Sequence, residues 1–164
     1  MTLDIGTTKI LFVAALTLLG LSACSTQQNK SSEPSLTTLM GEHTGQDGRA
    51  CLRTSRITGY STTNFGKLIT INTRHKYYVA APLYRCHDIG ISAKAVFDGR
   101  SIEFCGGGGS SIVTGQERCP IKKLYEFDDR ASAHAAIQAI TDKRKQLVAG
   151  DKGKEISAED SPSP

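Results

Sequence analysis

Residues 67–79, KLITINTRHKYYV, decide how this chain is expected to fold. Ile69 and Ile71 alternate with a threonine, and this period of two is typical of a half-buried strand. A second β-prone run, Tyr77–Val79, follows after a short polar segment, so the two runs predict a hairpin. Pro82 then either ends the second run or places it at the edge of a sheet.

More short, β-prone runs lie on both sides of this hairpin. Asp98-Gly99 is a strong hairpin-turn signal between the candidate strands Ala93–Phe97 and Ser101–Phe104. The four glycines at 106–109 predict a flexible turn rather than a phosphate-binding loop, because no Gly-Lys-Ser/Thr follows and the next residues read as a strand. The remaining candidate strands are Cys51–Tyr60, Ser111–Thr114 and Ile121–Phe127.

One helix is expected after the last strand. Asp128 or Asp129 can cap its start, and the basic run 143–145 lies in its later turns, as the helix dipole favours. Gly150 is expected to stop it. The apolar stripe of this helix comprises Ala133, Ala136, Ile137, Ile140 and Leu147.

The N-terminus has the pattern of an export signal. The apolar stretch Ile10–Leu21 is too short to span a bilayer but fits the core of a secretory signal. The residues that follow, Leu21-Ser22-Ala23-Cys24, resemble the bacterial lipobox. This resemblance implies cleavage before Cys24, diacylation of its sulfur and acylation of the new amino group. Ser25, in place of an Asp, favours the outer membrane; the alternative is an ordinary signal peptide followed by a coincidental cysteine.

Four segments are therefore expected along the chain. Residues 1–23 are the lipoprotein signal peptide, and residues 24–48 form a lipid-anchored flexible tether with a span of about 27 Å. Residues 49–148 form a disulfide-stapled, β-rich domain with a C-terminal helix, and residues 149–164 form a disordered tail.

The charge of the chain is concentrated in the domain. Of the overall +4, residues 45–148 contribute +7, from 16 Lys/Arg against 9 Asp/Glu, and the acidic tail contributes −2. A basic domain can favour an anionic partner such as a phospholipid headgroup or a lipopolysaccharide phosphate. The alternative is that scattered, interleaved basic residues are simply a solvated surface.

Four cysteines remain inside the domain: Cys51, Cys86, Cys105 and Cys119. An even number in an exported domain predicts disulfides rather than a metal site, because no Cys-x-x-Cys pair is present. The sequence does not decide among the three connectivities. We prefer Cys86 with Cys105, across the expected Asp98-Gly99 hairpin, which leaves Cys51 with Cys119. The predicted fold class is α+β, mainly β: a compact antiparallel sheet or small barrel with one C-terminal helix and two disulfides.

Residues 49–127 resemble a small four-cysteine family of proteobacterial exported proteins of unknown function. The resemblance rests on Cys51-Leu52-Arg53, on Tyr78 before the Cys86 segment, on Phe104-Cys105-Gly106 and on Cys119-Pro120-Ile121. It implies no established reaction or ligand. The glycines at 106–109 depart from the shorter turn with an acidic residue that the family pattern has at this place.

Candidate functional residues are few. Tyr77, Tyr78, Tyr84 and Arg85 form a candidate binding surface, since Tyr and Arg are common interface anchors. The alternative is that one tyrosine packs inward. No catalytic residues, metal ligands or cofactor are predicted, because His43, His75, His87 and His134 fall in four separate contexts.

We therefore expect a non-enzymatic domain in the cell envelope. It faces the periplasm, is joined to the membrane through the lipid on Cys24, and binds or supports an envelope protein, glycan or anionic lipid; nucleic acid is not an expected partner. The rival hypothesis is an envelope-directed hydrolase that uses His87, Asp88 or a serine near Gly109.

Overall fold

The computed structural model of the chain describes residues 34–64 and 66–158, with side chains as far as residue 149. Two 3-10 turns, Thr54–Arg56 and Asp88–Gly90, interrupt a series of short strands between two helices. In chain order the elements are α1 (Leu36–Thr44), β1 (Cys51–Arg53), β2 (Ile57–Thr63), β3 (Leu68–Thr73), β4 (Tyr77–Pro82), β5 (Val96–Asp98), β6 (Glu103–Cys105), β7 (Ser111–Val113), β8 (Arg118–Phe127) and α2 (Arg130–Ala158).

The main sheet is antiparallel and curls into half a barrel. Its six strands follow the order β2-β3-β4-β8-β7-β5, and β1 pairs with β6 in a separate two-stranded sheet. The hairpin predicted from residues 67–79 forms, with Ile71 of β3 opposite Tyr78 of β4. Pro82 is the last residue of β4. The predicted class, mainly β with a C-terminal helix and two disulfides, is confirmed.

The sheet has a core on each of its faces. In β4, Tyr77, Val79 and Ala81 pack on one face, whereas Tyr78 and Ala80 pack on the other, as strand alternation requires. The first face is covered by α1 and α2, and the second by the β1–β6 sheet and the strands that curl over it. A strand buried on both faces explains why residues 77–82 carry no polar alternation.

Helix α1 lies inside the segment that we expected to be flexible tether. Ser35 caps it, since its Oγ accepts a hydrogen bond of 3.1 Å from the Thr38 N–H, and Gly45 ends it with a φ of 69°. Leu39 and Met40 are buried against the rest of the domain. The expectation of a tether as far as residue 48 is therefore wrong for the described part, because a few apolar contacts with α2 hold a short helix that has no clear apolar period of its own.

The expected Asp98-Gly99 hairpin is also wrong. Strand β5 pairs with β7, and β6 pairs with β1, so the strands on either side of Gly99 belong to different sheets. The chain reverses two residues later, where the Glu103 N–H donates to the Arg100 carbonyl at 3.1 Å and Ser101 has a φ of 62°.

This change of partner corrects the disulfide connectivity that we preferred. Because β6 lies beside β1, Cys105 is directly opposite Cys51, and these two residues are bonded. Cys86, in the segment after β4, is bonded to Cys119 of β8, the strand that pairs with β4. The preferred pairs, Cys86 with Cys105 and Cys51 with Cys119, do not form.

Helix α2 continues past the glycine that was expected to end it. Its apolar stripe is buried from Ala133 to Ile140, but Leu147 is exposed. The helix runs beyond Gly150 and Gly153 to Ala158, because a glycine inside a helix costs only about 1 kcal/mol and no proline lies between Gly150 and Ala158. Disorder is therefore not observed at 149–158, and residues 159–164 lie outside the described residues. No helix in the described ranges combines the length and the apolar character needed to cross a membrane.

Candidate anion-binding cleft

A cleft of about 230 Å³ lies between the start of α1 and the end of β4. Strand β8 contributes Lys122, and α2 contributes Arg144. We call it the basic cleft. Its lining residues are Ser35, Leu36, Thr37, Lys67, Ala81, Pro82, Leu83, Tyr84, Arg85, Lys122 and Arg144.

The charges of the basic cleft are all positive. Lys67, Arg85, Lys122 and Arg144 come from four separate parts of the chain and line one space. No Asp or Glu is found among the described residues that line it. The N-terminal end of α1, at Ser35, adds the positive end of a helix dipole. A space lined by charges of one sign attracts counter-ions, so the basic cleft is suited to an anion.

Apolar side chains form one rim of the basic cleft. Leu83 is 63% exposed and Tyr84 is 50% exposed. Their segment is held to β8, because the Leu83 N–H donates to the Pro120 carbonyl at 2.8 Å and the Tyr84 hydroxyl donates to the Arg118 carbonyl at 2.5 Å. A fixed pair of exposed apolar residues beside a cluster of cations is suited to a ligand that has both apolar and anionic parts.

A second, smaller pocket of about 160 Å³ is also basic, but Tyr78 and Lys76, which line it, are already paired. Tyr78 donates to Glu126 at 3.1 Å, and the Lys76 ammonium lies 3.3 Å from Glu126 and 2.6 Å from Asp128. Burial, and then the charge of Glu126, raise the pKa of the Tyr78 phenol. Hydrogen bonds to Asp128 and Glu126 raise the pKa of the Lys76 ammonium. Glu103 also lines this pocket, so its lining includes a carboxylate and is less suited to an anion than that of the basic cleft.

The structure brings together two of the four residues predicted as a binding surface. Tyr84 and Arg85 line the basic cleft. Tyr77 and Tyr78 are each only 6% exposed and pack into opposite cores, with the Tyr77 hydroxyl 3.3 Å from Nε2 of His134. The sequence could not find Lys67, Lys122 and Arg144, because they are ordinary surface cations until the sheet places them together.

The residues of the hydrolase hypothesis are not arranged around a nucleophile. Asp88 accepts hydrogen bonds from the hydroxyls of Thr114 and Ser92, which lower the pKa of its carboxyl group. Ser110 is buried, and its Oγ accepts from the Cys105 N–H at 2.9 Å. Across the described ranges, no hydrogen bond joins His87 to a serine or a carboxylate. Asp88 and Ser110 stabilise turns through these bonds.

Two groups of cysteines and carboxylates have the spacing of metal ligands. Cys51 and Cys105 lie near Glu103, and Cys86 and Cys119 lie near Glu117. In each group the two sulfurs are bonded to one another, so a single carboxylate remains as a potential ligand. The geometry of both groups is explained by the disulfides.

Comparison with known proteins gives a family and no activity. A family model described as "Family of unknown function (DUF6491)" matches residues 7–143. The match covers the sheet, α1 and the buried part of α2. No curated protein and no solved structure matches the chain.

Proposed function

The chain belongs to the DUF6491 family of unknown function, and we propose that it is a lipid-anchored accessory domain of the bacterial cell envelope. In this proposal the domain binds phosphate groups of envelope lipids or glycans in the basic cleft. It acts by binding and carries out no reaction. The basic cleft is the observation that carries the proposal, since Lys67, Arg85 and Lys122 come from separate parts of the chain and line one space, and no described residue of that lining is an Asp or Glu.

The anchor is supported by sequence alone. Leu21-Ser22-Ala23-Cys24 has the lipobox pattern, and it lies outside the described residues. The two disulfides fit a domain that folds in an oxidising compartment, as an exported domain does. Several acyl chains on Cys24 make the attachment effectively permanent, at about 0.8 kcal/mol for each buried CH₂.

Mass spectrometry of the protein extracted from bacterial membranes tests the anchor. Peptides mapped without reduction are expected to show acyl chains on Cys24 and the bonded pairs Cys51–Cys105 and Cys86–Cys119. An unmodified Cys24 on a chain that still begins at Met1 contradicts the anchor and the location that follows from it.

Titration of the full chain in neutral detergent with a soluble phosphorylated disaccharide tests the cleft. Binding is expected for the wild type and for the control Lys94→Gln, which changes an exposed cation outside the cleft. The Lys122→Gln variant is expected to bind the disaccharide with about fivefold lower affinity. Raising the salt concentration is expected to weaken binding further. Equal affinity in Lys122→Gln and Lys94→Gln contradicts a site in the basic cleft.

A further inference from the structure

We propose that the basic cleft and its apolar rim dock on the surface of the anionic bilayer in which the chain is anchored. This inference rests on the proposed function and identifies the ligand as phospholipid headgroups, with Leu83 and Tyr84 inserted between them. The docking face is made of Lys67, Leu83, Tyr84, Arg85 and Lys122.

The apolar rim favours a bilayer over a small soluble anion. A soluble phosphate can neutralise the cations but leaves Leu83 and Tyr84 in water, at 63% and 50% exposure. A bilayer surface offers phosphates to the cations and a partly apolar layer to the rim at the same time. Tyrosine is suited to that layer, because its ring packs among apolar groups while its hydroxyl keeps a polar partner, here the Arg118 carbonyl.

The length of chain before the domain limits how far the basic cleft can lie from the membrane. Helix α1 packs onto the domain from Leu36, so only the residues between Cys24 and Ser35 separate the anchor from the folded unit. Even a fully extended chain of that length spans at most about 40 Å. Ser35 itself lines the basic cleft, so the chain enters the domain at the edge of the docking face.

Two other exposed apolar residues do not lie beside the cations of the basic cleft. Ile91 is 85% exposed and Ile102 is 57% exposed, but neither lines the basic cleft. They therefore supply matched controls for the docking face. The charged control is Lys94, which is exposed and lies between Ile91 and the start of β5.

An introduced tryptophan tests the contact between the docking face and the bilayer. The chain contains no Trp of its own, so all indole fluorescence comes from the introduced residue. The full-length lipidated protein, carrying either Leu83→Trp or Ile91→Trp, is reconstituted into bilayers whose acyl chains are brominated and therefore quench nearby indoles. One set of bilayers is phosphatidylcholine, and the other is phosphatidylcholine mixed with phosphatidylglycerol. We expect quenching and a blue-shifted emission for the Leu83→Trp reporter in the anionic bilayers, and an unquenched Ile91→Trp reporter.

Charge removal tests the electrostatic part of the contact. In the Leu83→Trp background, each of Lys67→Gln, Arg85→Gln and Lys122→Gln is expected to shift the docked-to-free ratio about fivefold towards the free state, as added salt also does. Lys94→Gln is expected to leave the ratio unchanged. Circular dichroism of each variant checks that a loss of quenching reflects undocking rather than unfolding.

Three results overturn the inference. Equal quenching of the Leu83→Trp and Ile91→Trp reporters shows that no particular face meets the bilayer. Quenching that is the same in zwitterionic and anionic bilayers removes the role of the cations. An unquenched Leu83→Trp reporter, in a protein that still binds the soluble phosphorylated disaccharide, overturns docking and leaves the proposed function standing. If the reporter is unquenched and the disaccharide does not bind, docking and the proposed function are both overturned.

Discussion

Asp88 shows what a single carboxylate does in this fold. It accepts hydrogen bonds from Thr114, at the end of β7, and from Ser92, after the 3-10 turn at Asp88–Gly90, and its N–H donates to Glu117 at 2.9 Å. The hydroxyl of Thr114, followed by that of Ser92, lowers the pKa of the Asp88 carboxyl group below its ordinary value of 3.8. Asp88 thus joins two turns that are distant in sequence.

The lowered pKa predicts how the stability of the chain changes with pH. A group with a lowered pKa in the folded state stabilises the fold above its unfolded pKa, and that contribution is lost as the pH falls through the folded value. We expect Asp88→Asn to reduce the free energy of unfolding at neutral pH, and the difference from wild type to shrink as the pH falls below 3.8. Urea unfolding over this range measures the effect. The exposed Asp142→Asn is the control, and a difference independent of pH contradicts the assignment.

Gly106 lies where three backbone segments approach one another closely, so a side chain has no room there. A Cβ atom there would lie 2.0 Å from the Gly48 carbonyl oxygen and 2.5 Å from the Leu124 nitrogen. We expect Gly106→Ala to destabilise the fold by about 1–3 kcal/mol, because backbone atoms must move apart. Gly115→Ala, which meets nothing within 4 Å, is expected to change stability by less than about 1 kcal/mol. Equal thermal unfolding of the two variants contradicts this reading.

Among the elements, α1 joins the N-terminal segment to the core. Leu39 is 2% exposed and Met40 is fully buried, and Tyr125 donates to the Thr37 carbonyl of the same helix at 2.8 Å. Lys143 of α2 also forms an ion pair with Glu42 at 3.0 Å, although an exposed pair adds little. The helix is therefore part of the domain, and the domain begins before residue 49.

Truncation of the core side chain of α1 is expected to weaken the whole domain. Leu39→Ala removes a fully packed side chain, and such changes cost about 2–5 kcal/mol. His43→Ala, an exposed position on the same helix, is the control and is expected to have little effect. Chemical denaturation gives both values; a Leu39→Ala variant as stable as His43→Ala indicates that α1 does not contribute to the core.

The elements also show which parts of the fold were open to prediction. The β3–β4 hairpin and the buried part of α2 were predicted correctly, because a local period determines each of them. Helix α1 was missed, since its stability comes from α2 and Tyr125, and β6 was paired wrongly, since Asp98-Gly99 favours a local turn while β1 offers a better partner. Among the residues that line the basic cleft, only Tyr84 and Arg85 could be predicted from the sequence, because Lys67 and Lys122 come together only when the sheet forms.

At the scale of the whole molecule, the two disulfides differ in their surroundings. Cys86 and Cys119 are 1% and 0% exposed and lie in the core, whereas Cys51 is on the surface and Cys105 is half-buried. Both bonds close long loops, of separations 54 and 33, and on the chain-entropy model each contributes about 4 kcal/mol.

Stepwise reduction is expected to distinguish the two bonds. A thiolate in solution must reach a sulfur atom, so Cys51–Cys105 is expected to be reduced first while the fold remains intact, and Cys86–Cys119 only when the core opens. Alkylation at timed intervals, followed by peptide mapping, gives the order. Simultaneous loss of both bonds, or earlier loss of Cys86–Cys119, contradicts the prediction.

The strand order has a consequence for the timing of assembly. Strand β4 is central only because β8, which ends at Phe127, pairs along its second side, and Cys51 meets its partner only when β6 arrives. A chain emerging from its N-terminus therefore displays a bare β4 edge until β8 appears, with Cys51 unpaired until residue 105 and Cys86 unpaired until residue 119. For an exported chain, closure of the sheet and oxidation of its cysteines become late and nearly simultaneous events, and any factor that protects the nascent protein must cover β4 for the whole of that interval.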